Sequence, residues 1–475
     1  MTATISNLPA EVLSEIFTQC DNPAIWETCK AFATVAFSTT SLWTTVVIRP
    51  CHFTTDGPDI LRERISRTRG RLLDVCIWLV TKHTAEISAL CKVLSEFNAQ
   101  IRRFKITTHT TMEAGAVFHD AFPKSEAIPA LEVFSALSEC ESTNPLDSAG
   151  AWPRLDLVLV NASTMFPNLR RLHMNSFYDA VPMLPDSSSF SHLTTLILDG
   201  SLERYSSCPS LVAALLHSTP QLESLWMKHH FWRNPDSMSE WRTIKGRSIS
   251  QNIQLPKLKH LAVSAPGTTC DLIGCITAPA LEDLHLDGSR GPTNGDSPER
   301  PDIQWSDGVS ESVYNALKLF ASRCRNLRRF AITRAYLSRS AWDWLLFGED
   351  GRGPPFSKLE CIALHGVFEY VSSTRNSFDN ELLEKFARDP KIPLKRLALL
   401  YCDFPLRASV LVDVFRASGA KELECDAYVP QWEGGEEEQF DELRASLTRW
   451  PESQVAEDKW WTYGHSVDAA DSEAY

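Results

Sequence analysis

Residues 281–286 read Leu281-Glu-Asp-Leu284-His-Leu286, and this stretch carries the pattern that decides the fold. An apolar residue is followed by two polar residues, a second apolar residue, one variable residue and a third apolar residue. Over the last three positions the alternation has a period of two, which places both apolar side chains on one face of a short β-strand. A single strand of this kind is not stable alone, so we looked for more copies.

The same pattern recurs along most of the chain. Further copies begin at Ile101, Leu169, Leu193, Leu222, Leu258, Leu327, Leu359 and Leu394, with weaker ones at Leu131 and Leu423. Apolar residues with a helical period lie between them, at residues 86–97, 210–217, 312–322, 380–388 and 409–418. Strand, helix and next strand in this order predict parallel strands, and stacked units of this type share a core that no single unit can form.

These copies resemble leucine-rich repeats over roughly residues 70–430. The resemblance implies an α/β fold: a curved solenoid whose parallel strands line the concave side. The first leucines are spaced irregularly, from 23 residues between Leu258 and Leu281 to 46 residues between Leu281 and Leu327. We therefore expect an irregular leucine-rich-repeat solenoid over residues 51–432. An ordinary α/β domain with leucine-rich strands is the alternative.

The first fifty residues lack this repeat and have a helical pattern. Pro9 suits the first turn of a helix, and Val12, Leu13, Ile16 and Phe17 then form one apolar stripe. A second helix is predicted after Pro23, and the chain turns again before Trp43. So short a segment cannot bury this much apolar surface against itself, which predicts a partner for part of it.

The N-terminal motif Leu8-Pro9-x-Glu11-x-Leu13-x-x-Ile16-Phe17 and the closing Ser38-Thr39-x-Ser41-Leu42-Trp43 resemble an F-box, of the kind found in fungal F-box-like proteins with leucine-rich repeats. The resemblance implies a short three-helix F-box over residues 1–50. It also implies docking on a Skp-type adaptor, which joins the protein to a cullin–RING scaffold as the substrate receptor of an SCF-type ubiquitin ligase. The adaptor-binding residues it implies are Leu8, Pro9, Glu11, Leu13, Ile16, Phe17, Phe32, Leu42 and Trp43. The alternative is a repeat scaffold without ligase coupling, in which this element only caps the repeats.

The repeat template also names candidates for binding a target protein. They are the side chains that alternate with the buried leucines: Arg171, His173, Asn175, Asp199, Trp226, Lys228, His260, His285, Asp287, Arg329 and His365. An exposed tryptophan on a strand is a common interface anchor, which favours Trp226. The alternative for Trp226 is burial in the core beneath an insertion.

Composition argues against several other classes of function. The net charge is −13, from 47 Lys and Arg against 60 Asp and Glu, which is unfavourable for general binding to nucleic acid or to an anionic membrane. Five arginines between Arg62 and Arg71 are better explained as the solvated face of a helix that ends near Gly70. We find no catalytic set, cofactor loop or metal-ligand cluster, and therefore expect no enzyme activity, cofactor or metal.

The termini predict the compartment and the domain ends. The N-terminus lacks the basic start and apolar stretch of a secretory signal, so we expect a protein of the cytoplasm, the nucleus or both. The 13 cysteines lack a framework spacing, as expected of reduced thiols used as small core residues. Residues 433–475 hold 12 acidic and 3 basic residues, and predict an acidic C-terminal segment with a short capping helix and a disordered tail.

Overall fold

The structure is a computed structural model of the chain. It describes residues 34–35, 37, 39–80, 84–109, 111–123, 127–138, 165–174, 190–199, 213, 215–228, 253–264, 273–287, 315, 317–333, 336–337, 339–348, 355–365, 368–369, 395–400 and 422–425. The predicted helices before residue 34, those at 380–388 and 409–418, and the predicted C-terminal segment 433–475 lie outside these residues.

Every copy of the repeat pattern forms a β-strand. The strands of the motifs are β3 (Ile101–Thr108), β4 (Val133–Ser138), β5 (Arg171–Met174), β6 (Thr195–Asp199), β7 (Ser224–Lys228), β9 (His260–Ser264), β11 (Asp283–Asp287), β12 (Arg329–Thr333), β14 (Cys361–His365), β16 (Arg396–Leu400) and β17 (Glu422–Cys425). Two strands precede them, β1 (Thr45–Ile48) and β2 (Leu73–Val80). The short strands β8 (Ile253–Gln254), β10 (Ile276–Thr277), β13 (Tyr336–Leu337) and β15 (Phe368–Glu369) form two separate pairs.

The chain divides into two compact units. The first comprises Met1–Leu281 and Gly288–Asn326, and the second comprises Glu282–Asp287 and Leu327–Tyr475. In the first unit the strand order is β1-β2-β3-β4-β5-β6-β7-β9, and in the second it is β11-β12-β14-β16-β17. All the pairings within each unit are parallel. The predicted α/β class with parallel strands is therefore confirmed within each unit.

The first leucine of each motif sets the start of its strand. In one example the amide of Leu193 donates to the carbonyl of Phe190 over 3.1 Å, and Leu193 is fully buried. The same turn recurs before other strands, with Leu131, Leu169, Leu222, Leu258, Leu281 and Leu359 as donors. This turn buries the leucine just before the strand. Each of these repeats therefore enters the sheet with the same backbone geometry. The three apolar positions of the motif then form the core.

The second motif position forms a row along one edge of the sheet. In the first unit the row is Arg102, Glu132, Arg170, Thr194, Glu223 and Lys259, and in the second unit it is Glu282, Arg328, Glu360 and Lys395. Lys259 Nζ lies 2.9 Å from Glu223 Oε2, and Lys395 Nζ lies 2.7 Å from Glu360 Oε2. The hydrogen bond from Lys395 lowers the pKa of the Glu360 carboxyl. Opposite charges on neighbouring strands favour this register by a few tenths of a kcal/mol to about 1 kcal/mol a pair.

Four described α-helices connect or flank the strands. They are α1 (Gly57–Ser66), α2 (Ala85–Glu96), α3 (Thr111–Ala121) and α4 (Arg339–Phe347). The predicted helix at 86–97 is α2, which Thr84 caps and which buries Ile87, Leu90 and Leu94. Helical residues 215–217 and 317–321 fall within two other predicted helices. The arginine-rich helix α1 ends at Ser66, and the chain reverses through Gly70 at φ 79° before β2.

The sheet begins inside the segment that the sequence assigns to the F-box. Thr45, Val46, Val47 and Ile48 of β1 pair with β2, so residues 45–48 form the edge strand of the sheet in the first unit. The three-helix F-box over residues 1–50 stays a prediction, because the residues before 34 lie outside the described part of the chain. Among the described residues, no helix is long and apolar enough to cross a membrane.

Candidate binding face of the repeat sheet

One row of side chains crosses the face of the sheet that is opposite to the leucine core. In the first unit each residue of this row is in register with the next one on the neighbouring strand. We call it the central row, and its members are Val47, Cys76, Lys105, Ser135, His173, Ile197, Trp226 and Ala262. Adjacent members lie one strand apart, about 4.8 Å. These are the alternating positions from which the sequence predicted target contacts.

The central row is buried except for Val47, which is half-buried. Trp226 is 4% exposed, His173 is 7% exposed, and Ile197 between them is 5% exposed. The alternative in which Trp226 is part of a core is therefore favoured over an exposed anchor. Arg171 is half-buried and lies on the same face of β5, two residues before His173. Lys228 and Asp199 end β7 and β6 in register, His260 is half-buried in β9, and Asn175 lies outside the described residues.

The second unit holds the other predicted target contacts. His285 is half-buried and in register with Ala331 and Ala363, which are 4% and 7% exposed. Arg329 forms a two-point ion pair with Asp283 on the neighbouring strand. Asp287 and His365 occupy the strand ends, both in register with Thr333. The register brings Asp287 and His365 to one edge of this sheet, and places Ala331 and Ala363 in line with His285.

The polar end of the central row was missed by the sequence analysis. Lys105 is 2% exposed and Ser135 is fully buried, and Ser135 Oγ lies 3.5 Å from His173 Nδ1. Burial lowers the pKa of the Lys105 ammonium and raises that of the Cys76 thiol opposite it. The signal was present, because Lys105 alternates with Phe104 and Ile106 in the first strong motif. A lysine there was not expected to be buried.

The closing turn of the F-box-like segment is attached to the first repeats. Leu42 is half-buried and Trp43 is 6% exposed, in a 3₁₀ turn at Thr40–Trp43. The guanidinium carbon of Arg67 lies 4.7 Å from the centroid of the Trp43 ring and 4.4 Å from that of Phe37. Phe37 itself is 53% exposed. The remaining predicted adaptor contacts, Leu8, Pro9, Glu11, Leu13, Ile16, Phe17 and Phe32, lie outside the described residues.

Cysteines among the described residues include three buried ones, Cys76, Cys91 and Cys324. Burial raises the pKa of Cys324 to about 12, which keeps it a neutral thiol in the core. Within the described ranges, no group of three or more His, Cys, Asp or Glu side chains is arranged to hold a metal ion.

Comparison with known proteins assigns no family. No protein-family model matches the chain, and no curated protein matches it. Among solved structures it is similar to a chain of the TLR13–ssRNA13 complex, with 14% identity and a TM-score of 0.31 over 74% of this chain. The alignment spans 41% of that chain. A protein from Bacteroides fragilis shows 11% identity and a TM-score of 0.26 over 73% of this chain and 80% of its own. Scores of this size carry no functional assignment.

Proposed function

We propose that this chain is a protein-binding repeat scaffold that serves as the substrate receptor of a cullin–RING ubiquitin ligase of the SCF type. Its N-terminal segment would bind the Skp-type adaptor and its repeats would bind a target protein, while other subunits transfer ubiquitin. The contribution of this chain would be to bring a target protein close to the ligase, that is, proximity. The observation that carries the proposal is the parallel repeat sheet preceded directly by the F-box-like sequence.

The junction between the two parts is a packed turn. Trp43 is buried under Arg67 of the turn after α1, and β1 follows two residues later as the edge strand of the sheet. Cation–π contacts of this kind contribute about 0.5–2 kcal/mol. The described end of the F-box-like segment is thus packed against the turn after α1.

A second candidate function is a scaffold that binds a protein without ligase coupling. The same packed turn favours it, because a segment that supplies β1 and covers its side of the sheet is also a plausible cap. Repeat arrays need such terminal units to protect their ends. The two candidates differ in whether the apolar stripe of Leu13 and Ile16 has a partner outside the chain.

Adaptor capture from purified components tests the first proposal. We compare the intact chain with the double variant Leu13→Asp plus Ile16→Asp, and expect the variant to lose at least ten-fold in recovery of a Skp-type adaptor. The matched control is Ile60→Asp plus Leu319→Asp, since Ile60 and Leu319 are 61% and 54% exposed and lie outside the F-box-like segment. Equal recovery by the intact chain and the Leu13/Ile16 variant would refute adaptor docking by this stripe.

A truncation separates the two candidates. Removing residues 1–36 keeps Phe37, Trp43 and β1, so the packed turn that stabilises the edge of the sheet is retained. If the truncated chain keeps its thermal midpoint and loses only adaptor binding, recruitment is supported. If the intact chain never captures the adaptor and the truncated chain melts well below it, the capping function is supported.

A further inference from the structure

The Lys105 side chain is largely buried and forms no ion pair among the described residues. It sits in the middle of β3, in register with Cys76 on one side and Ser135 on the other, and is 2% exposed. Among the described residues, no carboxylate forms an ion pair with Lys105 and no acceptor forms a hydrogen bond with it. The carboxylate of Asp74 is held by Arg102, with Nη2 2.8 Å from Oδ2. Partial desolvation of this ammonium is unfavourable, which lowers the pKa of Lys105.

Thr107 provides an independent observation at the same place. It is two residues beyond Lys105, so the alternation of the strand puts both side chains on one face of β3. Thr107 is 7% exposed, and its hydroxyl oxygen is buried without a hydrogen-bond partner in the described part of the chain. A buried hydroxyl of this kind normally finds a partner, because leaving it unsatisfied costs about 1–3 kcal/mol.

Most of the charged side chains described on this face are cationic. On the described positions of β2 to β5, this face carries three basic residues, Arg103, Lys105 and Arg171. The acidic residue described on the same face is Asp74. The Ser135 hydroxyl is in register with Lys105 and is fully buried. An ammonium, two hydroxyls and two flanking guanidinium groups within three strands are the donor set that suits a small oxyanion.

We propose that this polar patch, made of Lys105, Thr107 and Ser135 with Arg103 and Arg171 beside it, binds a small oxyanion, a carboxylate or a phosphate. The Lys105 ammonium supplies the counter-charge and the Thr107 and Ser135 hydroxyls donate hydrogen bonds to the oxygens of the anion. A bound oxyanion pairs with the Lys105 ammonium and gives the buried Thr107 hydroxyl an acceptor. This site is independent of adaptor docking, which concerns residues before β1.

Thermal unfolding of the full chain tests the site with sodium acetate and sodium phosphate as probes. Each is compared with sodium chloride at the same ionic strength, so that general screening cancels. We expect the midpoint to rise by roughly 2 °C or more for each tenfold increase of the probe above its dissociation constant. A hexaglutamate peptide forms a third arm, which distinguishes a free anion from an acidic side chain of a bound protein.

Lys105→Met is the decisive variant, and Lys92→Met on the exposed side of α2 is its matched control. Thr107→Val keeps the shape of the side chain and removes only the donor. We expect Lys92→Met to respond as the intact chain does, Lys105→Met to show no response beyond chloride, and Thr107→Val a weakened one. A response in the peptide arm alone supports the same site with an acidic protein segment as its ligand.

Two results would overturn the proposal. One is an intact chain that no probe stabilises beyond chloride. The other is a Lys105→Met variant that the probes stabilise as much as they stabilise the intact chain. Neither result bears on adaptor capture, so failure of this site and failure of the proposed function are distinguishable.

Discussion

Arg102 and Asp74 form a two-point ion pair across neighbouring strands. Arg102 Nε lies 3.1 Å from Asp74 Oδ1, and Arg102 Nη2 lies 2.8 Å from Asp74 Oδ2. Asp74 is only 9% exposed, whereas the Arg102 side chain is 36% exposed. Arg102 lies at a register shift between β2 and β3, so the pair bridges an irregular position of the sheet. In the second unit Arg329 on β12 forms a two-point pair with Asp283, which lies directly opposite it on β11. Planar two-point pairing of this type joins one strand to the next.

Removing this pair should destabilise the first unit. We expect Arg102→Met to lower the free energy of unfolding by about 1–2 kcal/mol, because Asp74 is left buried with only Arg103 at 4.0 Å. Arg170→Met is the control, since Arg170 has the same motif position and is exposed. Denaturant unfolding of both variants measures the difference. If both variants lose the same free energy of unfolding, the ion pair with Asp74 does not contribute to stability beyond the effect of an arginine at this motif position.

Lys105 should make stability depend on pH with a defined sign. Its pKa is lowered in the folded state, so between that value and the ordinary 10.5 the unfolded chain binds more protons than the folded chain. In chloride buffer the intact chain should therefore gain stability relative to Lys105→Met as the pH rises toward 10.5. Below the lowered pKa of Lys105, the loss of stability of the intact chain relative to Lys105→Met should be at its largest and should not change with pH. Denaturant unfolding at a series of pH values checks this, and a difference that does not change with pH would contradict it.

Trp226 should behave as a core residue. We expect Trp226→Ala to lower the free energy of unfolding by about 3–5 kcal/mol, because the side chain is 4% exposed and its removal leaves a cavity. Trp226→Phe should retain most of the stability. Thermal and denaturant unfolding measure both. A loss below about 1 kcal/mol for the alanine variant would favour an accessible interface anchor instead.

The junction at Trp43 should depend on Arg67. Arg67→Met removes the cation above both aromatic rings, and we expect it to cost about 1 kcal/mol. Arg69→Met is the matched control, because Arg69 is an exposed neighbour in the same turn. Hydrogen exchange of the β1 amides gives a local measure of the effect. Unchanged exchange in β1 would show that Arg67 does not hold the edge strand.

The strands could be predicted from the sequence because their signal is local. Each copy of the motif buries its own leucines within six residues, so all the copies became strands with parallel partners. The edge strand β1 was not predicted, because it precedes the repeats and lacks their leucine pattern. Its place depends on pairing with β2, which lies 28 residues further along the chain, from Thr45 to Leu73.

The sequence by itself determined which residues form strands, which face of each strand carries the leucines, and the helical character of α2, because these follow from periodicity over a few neighbours. The tertiary structure decided the burial of the other face. Exposure there depends on what neighbouring strands and connections cover, which no local pattern encodes. For that reason Trp226 and His173, predicted as surface contacts, are buried, and Lys105 stands among them as a cation without a partner among the described residues.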